Sequence, residues 1–381
     1  MELPPLSLYI HIPWCSRKCP YCDFNVHVQS SVIPEDAYLD ALLCDLHNQL
    51  PLVQARKLHS VFIGGGTPNL LSADFYARLL HGINRHIDYH PEIEITIEAN
   101  PGSRQKTLFQ RLRNAGMNRI SLGIQSFDNE TLKILGREHN ARDNHLAISA
   151  ARIAGFDNMN LDLIHATPKQ TKKKLLQDLQ MALYYQPEHL SLYQLNIEPH
   201  SIFYSHYPAG MLPQDQIADL TDLGQSVLCT QGYRHYEISA FTRKDSCQSK
   251  HNLNYWQFGD YLGIGAGAHS KITLYPEQQI QRYQKTRKPK DYLAKHGQTN
   301  KHCRTLSTED ILAEFMLNTM RLKAGVSLAL FRQRTGLTEN LLTKKSGHAL
   351  KKQLITLDHQ RIKPTDTGMR YHNDLIVDYM P

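Results

Sequence analysis

Cys15, Cys19 and Cys22 stand in the segment Cys15-Ser-Arg-Lys-Cys19-Pro-Tyr-Cys22. Thiolates at this C-x3-C-x2-C spacing are ligands for a soft metal centre. A cubane iron–sulfur cluster takes four ligands, so three close cysteines without a neighbouring fourth predict a [4Fe–4S] cluster with one iron open to another ligand. The competing reading is structural zinc, which requires a fourth Cys or His, and His27 is the only local candidate. The remaining cysteines, Cys44, Cys229, Cys247 and Cys303, are scattered. That distribution, odd in number, argues against a secreted disulfide framework and for small buried or surface thiols in a reducing compartment. The opening MELPPLSLYIHIPW lacks a basic, then apolar leader. No apolar run approaches the roughly 18 residues that span a bilayer, so the expected location is cytoplasmic.

The elements that must hold these thiolates are legible in the hydrophobic pattern. Six short segments rich in Ile, Leu and Val, bounded by Gly, Pro or Asn, predict strands at 6–13, 58–64, 92–100, 119–126, 158–166 and 189–197. Amphipathic windows at 34–50, 72–86, 104–115 and 172–185 predict helices between them, with Ser72 and Thr171 as helix starts. Alternating strands and helices imply a parallel sheet with right-handed crossovers, and six units predict an open, partial (β/α)6 TIM-like barrel. Cys15, Gly64–Thr67, Glu98, Gln125 and Asp162 all fall at strand carboxyl ends, where such barrels build their sites.

This core is assigned to residues 1–235. A connecting region follows at 236–305, with a further strand at 233–243, a Gly-rich stretch at 250–270 and a basic stretch at 281–304. The basic stretch carries eight Lys or Arg against one acid, Asp291, so it accounts for the whole formal charge of +7. It is expected to be a solvated linker or an anion-facing surface. Residues 306–381 predict helices at 308–322, 328–334 and 338–357 and a hairpin at 361–379, a small α+β, winged-helix-like domain whose shape alone assigns no function.

The motifs together resemble the radical-SAM superfamily, in which the open iron of a three-cysteine cluster chelates S-adenosylmethionine (SAM). Tyr21 fits the aromatic position before the third cysteine. Gly64-Gly65-Gly66-Thr67-Pro68 resembles the glycine turn that approaches the methionyl group, where no Cβ obstructs it. Within the superfamily the segments LYIHIPWC, FIGGGTP, IEANP, SLGIQSF, GREH, NLDLI and LGIGAGAHS are similar to oxygen-independent coproporphyrinogen III dehydrogenases and their heme-chaperone relatives. Carried over by position, the resemblance implies SAM contacts at Tyr9, Gly65, Gly66, Thr67, Glu98, Gln125, Arg137 and Asp162. The alternative for Arg137 and Asp162 is an internal salt bridge.

Two departures point away from the dehydrogenases. Phe24 stands where they carry a further cysteine, and only 14 residues precede Cys15, without their N-terminal arm. His251-Asn252-Leu-Asn-Tyr255-Trp256 matches the HNxxYW motif of the chaperones, which implies heme contacts at His251, Asn252, Tyr255 and Trp256. Imidazole is a common axial ligand and aromatic rings stack on porphyrins. The plainer reading is a hydrogen-bonded His and a packed Trp in a loop. The resemblance therefore implies a chaperone carrying a [4Fe–4S] cluster, SAM and heme. It would deliver heme to apo-hemoproteins of the respiratory chain, touching membrane enzymes only peripherally. The alternative is the dehydrogenase, acting on porphyrinogen propionates. A nucleic-acid modifier is disfavoured, because no aromatic-studded basic platform is present.

Overall fold

The computed structural model describes residues 1–102, 105–297 and 300–380. Arg104 of the third helical window, and Gln298 and Thr299 of the basic stretch, lie outside the described residues.

All six expected strands form, as β1 (Leu6–Ile12), β2 (Leu58–Gly65), β3 (Tyr89–Ala99), β4 (Arg119–Gln125), β5 (Met159–His165) and β6 (His189–Gln194). They pair in parallel in chain order. Between them run α1 (Glu35–Asn48), α2 (Ala73–Asn84), α3 (Gln105–Asn114), α4 (Ala141–Ile153) and α5 (Lys172–Tyr184). Ser72 caps α2 by accepting the Phe75 N–H, and Thr171 caps α5 by accepting that of Lys174. Such caps satisfy donors that the first turn leaves unpaired.

Each strand alternates. In β1 the residues Leu6, Leu8, Ile10 and Ile12 are fully buried in the main core, while Ser7, Tyr9 and His11 take the other face, as a period of two requires. Ile120, Leu122 and Ile124 in β4, and Met159, Leu161 and Leu163 in β5, join the same core. Each such side chain contributes about 1.5–3 kcal/mol of burial. The opposite faces, turned into the lumen, are largely polar, with Phe62 and Ile164 as apolar members.

Beyond residue 230 the structure corrects several expectations. The single strand at 233–243 is a hairpin, β7 (Arg234–Glu237) and β8 (Ala240–Thr242), joined antiparallel to β6. The Gly-rich stretch contains a helix, α6 (Lys250–Trp256), and a strand, β9 (Asp260–Ile264), which pairs parallel to β1. The chain then adds β10 (His269–Leu274), β11 (Gln279–Lys285) and β12 (Asn300–Thr305) as an antiparallel meander. The sheet has 12 strands in the order β12-β11-β10-β9-β1-β2-β3-β4-β5-β6-β8-β7, so the barrel stays open. The basic stretch is therefore two strands with a short helix, Pro289–Ala294, between them rather than a linker. Lys285 is buried against Asp45, and Arg282 pairs with Glu314.

The C-terminal unit opens with α7 (Thr308–Thr319), held by a capping box of Ser307 and Asp310. Next comes α8 (Leu328–Thr335), closed by Gly336 in the left-handed conformation at φ +69°. A three-stranded sheet joins Val326–Ser327, Ile355–Leu357 and Arg361–Pro364. The expected long helix at 338–357 breaks before Ile355, and only the first part of the expected hairpin at 361–379 is strand. Thr365 caps a short helix by accepting the Gly368 N–H, and a second follows. The unit has its own core, which Leu253 and Trp256 of α6 join from the barrel side. Among the described residues no helix is long and apolar enough to cross a membrane.

Candidate functional site

The cysteines ride on the loop after β1. Trp14–Cys15 pairs with His27–Val28 and closes that loop at its base. Asn25 fixes its far side by donating to the carbonyls of Ala266 and Arg287, 3.0 and 2.9 Å away. The glycine turn after β2 locks beneath it. Gly66 N–H donates to Ile12 O and Thr67 N–H to Trp14 O, both at 2.7 Å. A Cβ on Gly66 would lie 2.2 Å from Trp14 O, and Gly65 sits at φ +115°, so only glycine permits this approach.

The two segments wall a cavity of about 350 Å³, in the size range of small-molecule sites. Cys15, Cys19, Cys22, Tyr21, Gly65, Gly66, Thr67, Glu98, Gln125, Arg137 and Asp162 all line it. Tyr9 does not. It sits behind Phe62, its hydroxyl 3.0 Å from His11 Nδ1. Burial pushes the Cys15 thiol up to about 11, a cost that the positive charge of bound iron would offset. Among the described residues no three His, Cys, Asp or Glu side chains converge on one metal ion. His27 directs Nε2 to the Arg287 carbonyl at 3.3 Å. A cubane presents its irons on separate corners and does not need thiolates meeting at a point.

Deeper in the lumen two carboxylates face the cavity without a cationic partner in contact. Among the described residues Glu98 accepts only the Gly65 N–H, at 3.1 Å. Burial, with Asp162 nearby, raises its carboxyl to about 7. Asp162 accepts from Ser121 Oγ at 3.0 Å and Asn160 Nδ2 at 2.8 Å, and burial raises it too. The expected alternative, a salt bridge between Arg137 and Asp162, is not formed. Arg137 instead donates to Asn100 Oδ1 at 2.5 Å, Gly123 O at 3.2 Å, Tyr21 OH at 3.4 Å and Cys19 Sγ at 3.6 Å. Gln125 ends β4 at φ +64°, with Oε1 buried and unpartnered among the described residues. A buried polar atom without a partner costs about 1–3 kcal/mol, and Gln125 Oε1 is such an atom, on the same cavity as the two carboxylates. The donor set, with three thiols, two carboxylates, a guanidinium and a free amide oxygen, fits a cluster with a zwitterionic, hydroxyl-bearing ligand.

The HNxxYW residues lie at the other end of the barrel, on the helix α6 rather than in a loop. Ser249 caps the helix, and Glu94 of β3 accepts the N–H groups of Lys250 and His251 at 3.1 and 3.2 Å. His251 is buried, with Nδ1 2.9 Å from Ser60 Oγ and Nε2 2.8 Å from Tyr255 OH. Both ring nitrogens are thus engaged, and burial lowers its pKa to about 3. Trp256 packs under the Arg321 guanidinium, 4.2 Å from the ring centroid. Of the four expected heme contacts only Asn252 reaches the cavity. In this conformation an iron could be bound by His251 only if one of its ring nitrogens released its hydroxyl partner.

Several lumen residues escaped the sequence reading. Asn100 links Thr67 Oγ1, at 3.0 Å, to Arg137. Asn160 ties Asp162 to His189, whose Nε2 lies 2.8 Å from Tyr236 OH. The signal was the strand alternation itself. Runs such as ISLGIQ and HLSLYQ place a polar residue or glycine at every second position of a parallel strand, where a strand buried on both faces is normally apolar throughout.

Comparison with known proteins places this geometry. The Radical SAM superfamily model matches residues 9–182, and the HemN C-terminal domain model matches 306–371. The heme chaperone HemW of Haemophilus influenzae is 44% identical over 98% of both chains. HemW of Escherichia coli K12 is 41% identical over 99% of this chain and 98% of its own. The mouse mitochondrial radical S-adenosyl methionine domain-containing protein 1 is 32% identical, over 98% of this chain and 87% of its own. Among solved structures, the coproporphyrinogen III oxidase HemN of Escherichia coli superposes with a TM-score of 0.82 at 24% identity, covering 99% of this chain and 90% of that one. That likeness establishes the fold.

Proposed function

The chain belongs to the HemW family within the radical SAM superfamily, and on that premise we propose that it is a heme chaperone. It binds heme and releases it to apo-hemoproteins, respiratory enzymes among them. Cys15, Cys19 and Cys22 hold a [4Fe–4S] cluster, and SAM lies against it in the cavity. When bound, these groups supply a redox-active centre with a sulfonium beside it.

The chain's own residues prepare that place. The Gly65–Gly66 backbone lets a ligand approach the cysteine loop closely. Glu98 and Asp162 offer acceptors to an amine, a ribose hydroxyl or a sulfonium charge. Arg137 braces the Cys19 and Tyr21 side of the loop while Asn100 holds the guanidinium in place. Gln125 has an acceptor to spend on a ligand donor. The single observation that carries the reading is the convergence on one cavity of three thiols, two carboxylates without a cationic partner in contact and the unpartnered Gln125 Oε1, in a chain 44% identical to a named heme chaperone.

The test is anaerobic reconstitution followed by two parallel assays, heme retention on gel filtration and decarboxylation of coproporphyrinogen III with SAM and reductant present. Retained heme that passes to an apo-hemoprotein, without porphyrinogen turnover, is the expected result. Steady decarboxylation with no heme retained would overturn it.

A further inference from the structure

The cavity does not stop at the layer of Glu98 and Asp162. Arg119, the first residue of β4, and His189, the first of β6, line it as well, together with Asn252 of α6. It therefore runs the length of the lumen, about 20 Å from Gln125 at one end of β4 to Arg119 at the other. Because Ile120, Leu122 and Ile124 pack into the core, strand alternation turns Arg119 into the lumen.

Arg119 is only 2% exposed, and a guanidinium so placed normally has its donors paired. Here it makes no hydrogen bond among the described residues, and its Nε is buried and unpartnered. Its ion-pair contact, Glu94 Oε2, stands 4.0 Å from Nε, beyond hydrogen-bond reach. Both Glu94 oxygens are already taken by the N–H groups of Lys250 and His251. Thr96, beside Arg119 in the β3–β4 register, is fully buried with Oγ1 unpartnered too. The Asn252 side-chain amide likewise has no hydrogen-bond partner among the described residues.

The geometry points to this inner layer as a binding site for a small organic monocarboxylate. Arg119 can hold a carboxylate through two parallel N–H bonds, and the Thr96 hydroxyl and Asn252 amide are further donors. Thr96 precedes Glu98 by two residues on β3, so the site lies one side-chain layer beneath the SAM contacts proposed above. Glu94 and Asp162 are acids beside it. They repel a doubly charged anion, so the layer admits a single carboxylate in preference to phosphate. The site stands or falls independently of the chaperone reading.

The experiment is saturation-transfer NMR of propionate with the reconstituted protein, iron and sulfide content confirming an intact cluster. Propionate should receive saturation. Propionamide, of the same shape without the charge, should not, and inorganic phosphate should not displace propionate. Arg119→Met should weaken propionate binding more than about tenfold, and Arg119→Lys should restore part of it, since the charge returns without the fork. Asn252→Leu and Thr96→Val leave the guanidinium in place and keep the site testable if Arg119→Met does not fold. Each should weaken binding about three- to tenfold. Calorimetric titration of SAM in saturating propionate should give an affinity no lower than without it, because the two ligands occupy different layers. No saturation of propionate by the wild-type protein, wild-type binding in Arg119→Met or in both donor variants, equal binding of propionamide, displacement by phosphate, or competition between propionate and SAM overturns the inference.

Discussion

The two ends of the barrel are built from the same strands and differ in how their polar groups are matched. At the amino ends, Ser60, Glu94 and Ser249 meet helix α6 with each buried donor and acceptor of His251 paired. At the carboxyl ends, Glu98, Gln125 and Arg137 surround open space with bonds to spare or shared with a thiol. Burial without partners destabilises a fold, and it persists where a ligand completes the set. Both ends carry a motif that sequence resemblance associates with a cofactor. The closed end keeps a loose donor as well, since Trp256 Nε1 is buried and unpartnered among the described residues, but only the carboxyl ends gather such groups with carboxylates and thiols around one cavity.

The largest effect expected on either side of this contrast is loss of the cluster. Cys15→Ala, Cys19→Ala or Cys22→Ala should each remove the iron–sulfur chromophore outright, whereas Ser at Cys44, Cys229, Cys247 or Cys303 should leave iron and sulfide content unchanged. A chromophore surviving all three alanine variants would place the metal elsewhere.

At the closed end, His251→Ala strands the Tyr255 hydroxyl in a buried floor and leaves Ser60 only its bond to Ser7 Oγ, and it should cost about 2–4 kcal/mol in urea unfolding. The imidazole also ties stability to pH. Burial keeps it neutral down to about pH 3, against an ordinary 6.5. The unfolded chain therefore binds the extra proton between those values, and this contribution is present above pH 6.5 and lost as pH falls through the window. An unchanged unfolding midpoint in the alanine variant would show that the floor is not closed.

The open end should respond in the opposite sense. Glu98→Gln and Asp162→Asn should weaken SAM binding by about 1.5–3 kcal/mol each, with stability unchanged or raised. Isothermal titration with wild-type affinity in both variants would remove these residues from the site. The smallest effect is a pH dependence. With Glu98 raised to about 7, a cationic ligand must expel its proton below that pH. Affinity for SAM should drop about tenfold from pH 8 to pH 6 and flatten above; a flat profile across that range would contradict the assignment.

How much of this was legible in sequence depended on which face of a strand held the information. The six strands and their order followed from rows of Ile, Leu and Val that pack outward, and Ser72 and Thr171 announced their helices through local capping. The cysteine loop and glycine turn were legible because their chemistry is contiguous. The lumen network of Asn100, Asn160 and His189 was not, since each residue is one polar position in a separate strand. Helix α6 was hidden for a related reason. The carboxylate that caps its first turn, Glu94, lies 156 residues away from Lys250. In the stretch at 281–304, charge obscured β11 and β12, because Lys285 and Arg282 find their acids on α1 and α7 rather than in solvent.

Hydrogen exchange, compared for the reconstituted protein alone and with SAM and hemin, tests most directly whether the carboxyl ends of the strands are the working end. The account predicts new protection in the cysteine loop at 15–28, the glycine turn at 64–67 and the segment at 193–198, with α6 as slow to exchange before ligand as after. New protection confined to 249–257, with the cysteine loop unchanged, would contradict it and return the ligand to the HNxxYW helix.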